Sequence, residues 1–240
     1  MTGQLTGAGT INNVTQHPPL EEYLETVLEL DEDGVVVTQA RLADRLGHSA
    51  PTVSQMVRRL ITEGYLEVSN RVLTLTPSGR SQAERVVRKH RLAERLLTDV
   101  IGLGWDKAHE EAGRWEHVIS DEVEGLLVQL LGNPATCPHG NPIPGAVAPD
   151  RALAVLSACA PGDRIRLERV TEQVEVDRDA LSYLADHGFT PGVAAEVRTR
   201  APDGTLVLDL DEGTFAVGPR LARQLFVATR GGPSGRFSSG

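Results

Sequence analysis

Residues 88–117 read RKHRLAERLLTDVIGLGWDKAHEEAGRWEH, and this stretch decides how the rest of the chain is interpreted. Side chains three and four positions apart share one face of a helix. His90 and Glu94 are therefore neighbours on one predicted helix. The next predicted helix places four residues on one face: His109, Gly113, Glu116 and His117. A single His/Glu pair is commonly a surface hydrogen bond, but two sets so close together favour a divalent-metal site.

The composition is that of a globular chain with more than one domain. The 240 residues predict two or three small domains, and a hydrophobic fraction of 40% is enough for real cores. Cys137 and Cys159 are too few for a disulfide framework. No apolar run is long enough for a membrane helix and no signal pattern opens the chain, so we expect a soluble, cytoplasmic protein without a membrane partner.

A helix-turn-helix pattern lies N-terminal to this stretch. A first helix follows Pro18 and Pro19, and two more are predicted over 38–48 and 51–65, separated by the tight turn Gly47-His48-Ser49. Two short β-like runs then surround Ser69-Asn70-Arg71 and predict a hairpin. Helix-turn-helix plus hairpin indicates a winged-helix DNA-binding domain. The net charge of −9 argues against indiscriminate nucleic-acid binding, but it allows a local basic face.

The exposed side of the second of these helices carries short polar side chains and the two arginines Arg58 and Arg59. Such side chains suit phosphate and base-edge contacts, and Gln55 is the best candidate for reading a base. We predict that DNA is contacted by Ser49, Pro51, Thr52, Ser54, Gln55, Arg59, Arg41 and Arg71. A winged helix that makes only protein contacts is the alternative.

The rest of the chain predicts a helical segment followed by a β-rich one. A long helix is expected from Arg80 to about Val100 and another over 120–131, both apolar enough to need a partner surface, which favours a homodimer. Cys137 and His139 lie in a loop, 132–145, that is rich in proline and glycine. After a linker over 145–150, short β-runs and a brief helix at 178–187 indicate a small SH3-like barrel.

The predicted architecture is mainly α with a small β part. It comprises an N-terminal winged helix-turn-helix domain (18–78), a helical metal-binding and dimerisation domain (79–145), a C-terminal SH3-like, FeoA-like β-barrel domain (151–228) and flexible tails (1–17 and 229–240).

In this order of elements the chain resembles the diphtheria toxin repressor/MntR family of metal-dependent regulators. SAPTVSQMVRRL is similar to the family's recognition helix, and GNPIPG to its linker. RKHRLAERLL and RWEHVISDEVE resemble its metal-binding dimerisation helices. The match covers residues 20–145, and extends more weakly to about 228. The sequences of these motifs are closer to those of the iron-dependent branch of the family.

The resemblance implies two metal sites per subunit. One site would use His90, Glu94 and His109, with Glu172 and Glu175 from the barrel. Because some manganese regulators of the family take ligands from a similar Cys-Pro-His-Gly loop, an alternative set is Glu94, Cys137, His139 and an acidic barrel residue such as Glu172. The other, effector-sensing site would use Glu22, Gly113, Glu116 and His117, with Glu25 close by.

The effector-sensing site departs from the iron-dependent pattern at two positions. Glu22 stands where iron regulators of the family have methionine, and Gly113 stands where they have cysteine. Oxygen donors tolerate Mn²⁺ better than sulfur donors do, so we expect Mn²⁺ as the cofactor, with Fe²⁺ as the alternative. Cys137 and His139 restore soft character nearby, and the missing side chain at Gly113 also allows a weak effector-sensing site. Glu22 and Glu25 alone could merely favour the dipole of their helix.

The resemblance implies a repressor that binds double-stranded operator DNA as a homodimer, with one or two dimers per operator, and controls metal-uptake genes. The alternative within the family is an Fe²⁺-dependent repressor of iron-acquisition genes. A thiol redox regulator is a different class of hypothesis, in which His139 lowers the pKa of Cys137. A metalloenzyme is a third, but no general base or oxyanion donor accompanies the cluster, so we expect no enzyme activity.

Overall fold

A computed structural model of the chain describes residues 19–147, 152–211 and 213–230. The predicted tail over 1–17 lies outside the described residues, as does 231–240 of the C-terminal one. The predicted start of that tail at 229 is two residues too early, because the last strand continues to Arg230. No helix of the described part is long and apolar enough to cross a membrane.

The N-terminal part is a winged helix-turn-helix, as predicted. Its elements are α1 (Pro19–Glu32), α2 (Gln39–Leu46), α3 (Ala50–Thr62), β1 (Leu66–Ser69) and β2 (Val72–Leu75). α2 and α3 begin where Thr38 and Ser49 accept hydrogen bonds from the backbone N–H three residues on. Gly47, with φ of 64°, ends α2 in the left-handed conformation that favours glycine.

Apolar side chains at helical spacing form the core of this domain. Leu24 of α1, Leu42 of α2 and Val53 of α3 are fully buried and pack in one cluster. β1 and β2 pair as an antiparallel hairpin in which Ser69 faces Val72. The two residues between them, Asn70 and Arg71, both have positive φ, 49° and 67°, as a two-residue hairpin turn of type I′ requires.

The middle of the chain is helical. α4 spans Pro77–Arg95, α5 Trp105–Trp115 and α6 Asp121–Leu130. The predicted helix from Arg80 to about Val100 begins earlier, because Thr76 caps it by accepting from Gly79 N at 3.1 Å. Its last turn, Leu96–Ile101, is wound as a π-helix and ends at Gly102, whose φ is 80°. The hydroxyl of Thr98 donates to the backbone O of Glu94 at 3.0 Å at the start of this wider turn.

The C-terminal part is a six-stranded antiparallel sheet with short helices. Its elements are β3 (Ala154–Val155), β4 (Arg164–Val170), α7 (Glu172–Glu175), α8 (Arg178–Asp186), β5 (Ala194–Arg200), β6 (Leu206–Leu210), β7 (Gly213–Val217), α9 (Pro219–Ala222) and β8 (Leu225–Arg230). The strand order is β3-β8-β4-β5-β6-β7. The predicted barrel is therefore not closed: among the described residues, β3 and β7 are edges. β3 has only two residues and pairs with β8 alone among the described strands.

Candidate metal centre and DNA-binding face

His90 lies at the centre of the candidate metal centre. It projects from α4 and is buried together with Glu94, one turn further along. One ring nitrogen, Nδ1, contacts the carboxylate of Glu116 from the end of α5. The other, Nε2, is 3.2 Å from Glu94 Oε1 and 3.1 Å from Nδ1 of His109, which lies on α5. The packing of α5 on α4 thus joins the two predicted ligand sets around one imidazole.

The loop between α6 and β3 contributes Cys137 and His139 to a first cluster. Glu94 of α4 and Glu175 of α7 complete it, and we call this group of four residues the thiol cluster. All four residues are buried, and one potential ligand atom from each lies within 4.8 Å of the others. His139 Nδ1 is 3.2 Å from Glu94 Oε1 and 3.0 Å from Glu175 Oε2. The structure brings Cys137 and His139 to Glu94, but the acidic residue that joins them from the C-terminal domain is Glu175.

Glu172 faces a different neighbour. Its Oε1 accepts from Arg91 Nη2 at 2.8 Å, which turns one oxygen away from the thiol cluster. It remains near the metal centre, since His109, Glu172 and Glu175 also offer three potential ligand atoms within 4.8 Å. Glu172 and Glu175 are the first and last residues of the short helix α7, and they contact different partners: Arg91 for Glu172 and His139 for Glu175.

A second cluster, the carboxylate cluster, consists of Glu25, His90 and Glu116, again with one potential ligand atom from each within 4.8 Å. Glu25 projects from α1 and was predicted as a metal-site residue close to Glu22. His117 contacts α1 as well, but through Glu21, whose Oε2 is 2.8 Å from His117 Nδ1. Glu22 belongs to neither cluster, although the residue was predicted as the α1 ligand.

A cavity of about 530 Å³ opens beside the carboxylate cluster. Glu22 and Gly113 line it, together with Glu25, Glu116 and His117. A methyl group added at Gly113 would meet no atom within 4 Å, so this position borders open space. All five residues predicted for the effector-sensing site therefore line one cavity, but only some of them touch.

The opposite charges in the two clusters shift one another's pKa values. Burial alone would lower the pKa of His90, but the charges of Glu94 and Glu116 outweigh it and raise that pKa well above 6.5. Burial alone would raise the pKa of Glu116, yet the neighbouring His90 and His117 lower it to about 2. At Glu25 burial dominates, and with the charge of Glu116 it raises the carboxyl pKa well above 4.5.

The environment of Cys137 contradicts the pKa shift on which the redox hypothesis depends. Burial, followed by the negative charges of Glu94 and Glu175, raises the pKa of the thiol to about 12. The contact with His139 lowers it too little to compensate. A fully buried, protonated thiol is a poor redox sensor. Its chemistry suits a ligand that loses its proton to a cation.

The two clusters fit a divalent cation. Glu94 Oε2 and Glu25 Oε1 are buried without a hydrogen-bond partner. His139 Nδ1 and Glu175 Oε2 also lack a hydrogen bond of good geometry, although they form an ion pair with each other at 3.0 Å. Buried carboxylate oxygens without hydrogen bonds are costly, so a cation bound between them would stabilise each cluster. Carboxylate, imidazole and thiol groups are the ligands that first-row transition metals take in proteins.

Several residues that hold the site together were missed from the sequence. Arg91 is 1% exposed and binds Glu32 Oε2 at 2.6 Å as well as Glu172. Arg45 donates to the backbone O of Glu172 at 3.0 Å and to Glu29 Oε2 at 3.2 Å. These contacts tie α1, α2 and α7 to α4. No pattern in KHRLAER distinguishes Arg91 as buried, whereas the 22, 25, 29 spacing on α1 would have pointed to Glu29.

On α3 the predicted DNA-contacting residues share the face opposite the core. Pro51 lies in the first turn and Gln55 is exposed. The hydroxyls of Ser49 and Thr52 are 2.8 Å apart, and Ser49 also caps the helix by accepting from the backbone N–H of Thr52. Ser54 is half-buried and accepts from Arg58 Nη1 at 3.1 Å.

The three predicted arginine contacts differ in their surroundings. Arg71 is exposed at the turn of the wing. Arg41 is exposed on α2, and its guanidinium donates to the backbone O of Val36. Arg59 on α3 already has a partner, because its Nε is 2.7 Å from Glu63 Oε1.

The family comparisons match all three parts of the chain. A family described as the N-terminal DNA-binding domain of iron-dependent repressors matches residues 17–72. The metal-binding and dimerisation domain of iron-dependent repressors matches residues 76–145, and the FeoA domain matches residues 155–229. The chain thus carries a DNA-binding domain followed by a metal-binding and dimerisation domain.

Known proteins resemble the chain over most of its length. The iron-dependent repressor IdeR of Mycobacterium tuberculosis is 45% identical over 200 residues, covering 78% of this chain and 87% of that protein. The diphtheria toxin repressor of Corynebacterium diphtheriae is 44% identical over 200 residues, with the same coverage of 78% and 87%.

Solved structures agree with this result. A manganese-dependent transcriptional repressor in complex with manganese has a TM-score of 0.80 at 32% identity, covering 88% of this chain and all of the other. The manganese regulator SloR has a TM-score of 0.71 at 27% identity, with coverage of 88% and 98%. The chain therefore belongs to the diphtheria toxin repressor family and is a metal-dependent transcriptional repressor that binds DNA, not an enzyme.

Proposed function

We propose that the protein is a homodimeric repressor activated by Mn²⁺, which binds operator DNA of metal-homeostasis genes when its metal centre is loaded. The observation that carries the proposal is the donor set of the cavity between α1 and α5. The lining includes the carboxylates of Glu22, Glu25 and Glu116 and the imidazoles of His90 and His117, and none of its lining residues carries sulfur. Oxygen-rich sets of this kind tolerate Mn²⁺, the weakest binder of the divalent series.

The contacts of α1 suggest how loading would reach the DNA. A cation there would neutralise the facing carboxylates of Glu25 and Glu116. α1 packs on α4 and carries Leu24 and Leu28 into the core shared with α3. Fixing α1 against α5 would therefore fix α3 relative to the dimerisation helices, and two α3 helices would acquire the spacing of successive major grooves.

We propose that α6 forms the interface between the two subunits of the dimer. Val123, Leu126 and Leu130 lie exposed on this helix, and Leu126 and Leu130 are 58% and 63% exposed. An apolar face on a helix assigned by family to dimerisation is suited to a second copy of the chain. Whether one or two dimers occupy an operator follows from the operator's length. A cytoplasmic location follows from the DNA partner and belongs to the same proposal.

Fe²⁺ is the second candidate effector, and two observations favour it. Cys137 gives the thiol cluster a soft ligand, and repressors named for iron are 45% identical to this chain. In this version the protein would repress iron-acquisition genes.

Anaerobic titration of DNA binding distinguishes the two metals. We expect half-maximal binding to a duplex selected by the metal-loaded protein at a lower free concentration of Mn²⁺ than of Fe²⁺. Cys137→Ser is expected to change the Mn²⁺ midpoint by less than about threefold, because a hydroxyl still suits a hard ion. Activation at lower free Fe²⁺, with a loss of tenfold or more in Cys137→Ser, would favour iron instead. A chain that binds DNA equally well in a chelator would contradict both.

Metal binding should release protons. Facing carboxylates raise the pKa of His109 to about 9 and hold that of His139 well above 6.5, although burial alone would lower both. At pH 7 the metal-free imidazoles therefore carry protons that a cation must displace, so affinity rises with pH. On full loading the imidazoles of His90 and His139 and the thiol of Cys137 would each give up a proton, so we expect at least about three protons released per subunit at pH 7. Calorimetry in buffers of different ionisation enthalpy measures this number, and a value of zero would contradict the use of these imidazoles as ligands.

A further inference from the structure

The recognition helix α3 carries two neighbouring arginines whose charges are not equivalent. Arg59 pairs with Glu63 at 2.7 Å, one turn further along α3, and both side chains are solvent-exposed. Arg58 is also exposed, but among the residues that the structure describes no carboxylate lies within ion-pair distance of it. Its guanidinium instead donates to Ser54 Oγ at 3.1 Å. Half of the positive charge on this face is therefore already compensated and half is not.

The two arginines also lie on different edges of the exposed face. Val53, Val57 and Leu60 mark the buried side of α3. At about 100° per residue, Gln55 lies opposite them, while Arg58 and Arg59 fall on either side of Gln55. Arg58 shares its edge with Pro51 and Ser54, at spacings of seven and four.

The hydrogen bond to Ser54 directs Arg58 toward the start of the helix. Residues near the start of a recognition helix enter the major groove, and those on its flanks face the phosphate backbones that wall it. A guanidinium has five N–H donors, and Ser54 occupies one nitrogen only. An uncompensated, oriented cation on the flank of the helix is suited to a phosphate rather than to the floor of the groove.

We propose that Arg58 contacts a DNA phosphate and that Arg59, neutralised by Glu63, contributes much less to DNA affinity. This inference rests on the proposed DNA-binding function of α3. Arg59, and not Arg58, was predicted from the sequence as a DNA contact. The structure favours the opposite order, because it shows that Arg59 is paired with Glu63, which the sequence does not reveal.

The salt dependence of binding tests the proposal. The probes are a duplex selected from a random pool by the wild-type, metal-loaded protein and a duplex of scrambled sequence. Arg58→Ala should weaken binding to both duplexes about tenfold at low salt, and should reduce the slope of log affinity against log salt by about one per subunit. Arg59→Ala should change the slope by less than half as much, and Arg58→Lys should retain it.

Arg164→Ala is the charge-matched control. Arg164 is exposed on β4 and pairs with Glu196, away from α3, so its loss should leave the slope unchanged. An unchanged slope in Arg58→Ala would overturn the proposal, as would an equal or larger change in Arg59→Ala. Loss of discrimination between the duplexes at constant slope would also overturn it, by assigning Arg58 to a base. If the wild-type protein binds neither duplex with Mn²⁺ or Fe²⁺, the proposed function fails as well.

Discussion

Glu116→Gln is expected to abolish metal-dependent DNA binding. The carboxylate of Glu116 contacts His90 with one oxygen, and its other oxygen is 2.9 Å from Nε2 of His117. An amide of the same shape keeps the packing but removes the negative charge and turns one acceptor into a donor. We expect at least about 100-fold more metal to be needed for half-maximal DNA binding, the scale on which a lost ligand or its support acts.

Fluorescence anisotropy of a labelled duplex, titrated with Mn²⁺ or Fe²⁺, measures this effect. Glu196→Gln is the matched control, since Glu196 lies on β5 outside both clusters and, within the described part of the chain, forms an ion pair only with the exposed Arg164. Far-UV circular dichroism shows whether the variant remains folded. A folded Glu116→Gln protein with a wild-type metal midpoint would exclude the carboxylate cluster as the effector site.

The second large effect concerns stability. Arg91→Ala removes the cation that lies between Glu32 at the end of α1 and Glu172 at the start of α7. Arg91 is 1% exposed, and without it the largely buried Glu172 carboxylate loses its partner. Breaking a buried pair in this way costs roughly 3–5 kcal/mol of unfolding free energy, so we expect a clearly lower urea midpoint.

Glu172→Gln in the Arg91→Ala background gives a sharper measurement. Neutralising the orphaned carboxylate should restore part of the lost stability. With the Glu172→Gln single variant measured as well, the double-mutant cycle gives the coupling between the two residues. Arg164→Ala, on the protein surface, serves as the control. If Arg91→Ala unfolds at the wild-type urea concentration, the contacts of Arg91 do not hold the three parts of the chain together.

The parts of the fold that depend on local sequence were predictable. Thr38 and Ser49 cap α2 and α3, Gly47 ends α2, and the apolar spacing of Leu42, Val53 and Leu60 fixes which faces are buried. Each of these signals acts within a few residues of its effect. The open edge of the C-terminal sheet was not predictable in this way, because closure depends on pairing between strands that are distant in the chain.

In the candidate site, too, the features set by local sequence were predictable and those set by tertiary packing were not. The pairing of His90 with Glu94 follows from their spacing on one helix, and the structure contains it. The choice of Glu175 over Glu172 for the thiol cluster, and the contact of Glu21 rather than Glu22 with His117, depend on the rotation of α7 and α1 against other domains. Tertiary packing sets those rotations, and neighbouring glutamates in a sequence carry no signal that separates them.

Glu94 belongs to the surroundings of both clusters at once. Its Oε1 lies 3.2 Å from His90 and 3.2 Å from His139. Two divalent ions, one on each side of this carboxylate, would be close enough to repel each other strongly. We therefore expect the first ion to weaken the binding of the second, so that the protein fills in two stages. A regulator built this way would respond in graded steps over a wide range of metal supply, whereas two equivalent independent sites would fill together over one narrower range.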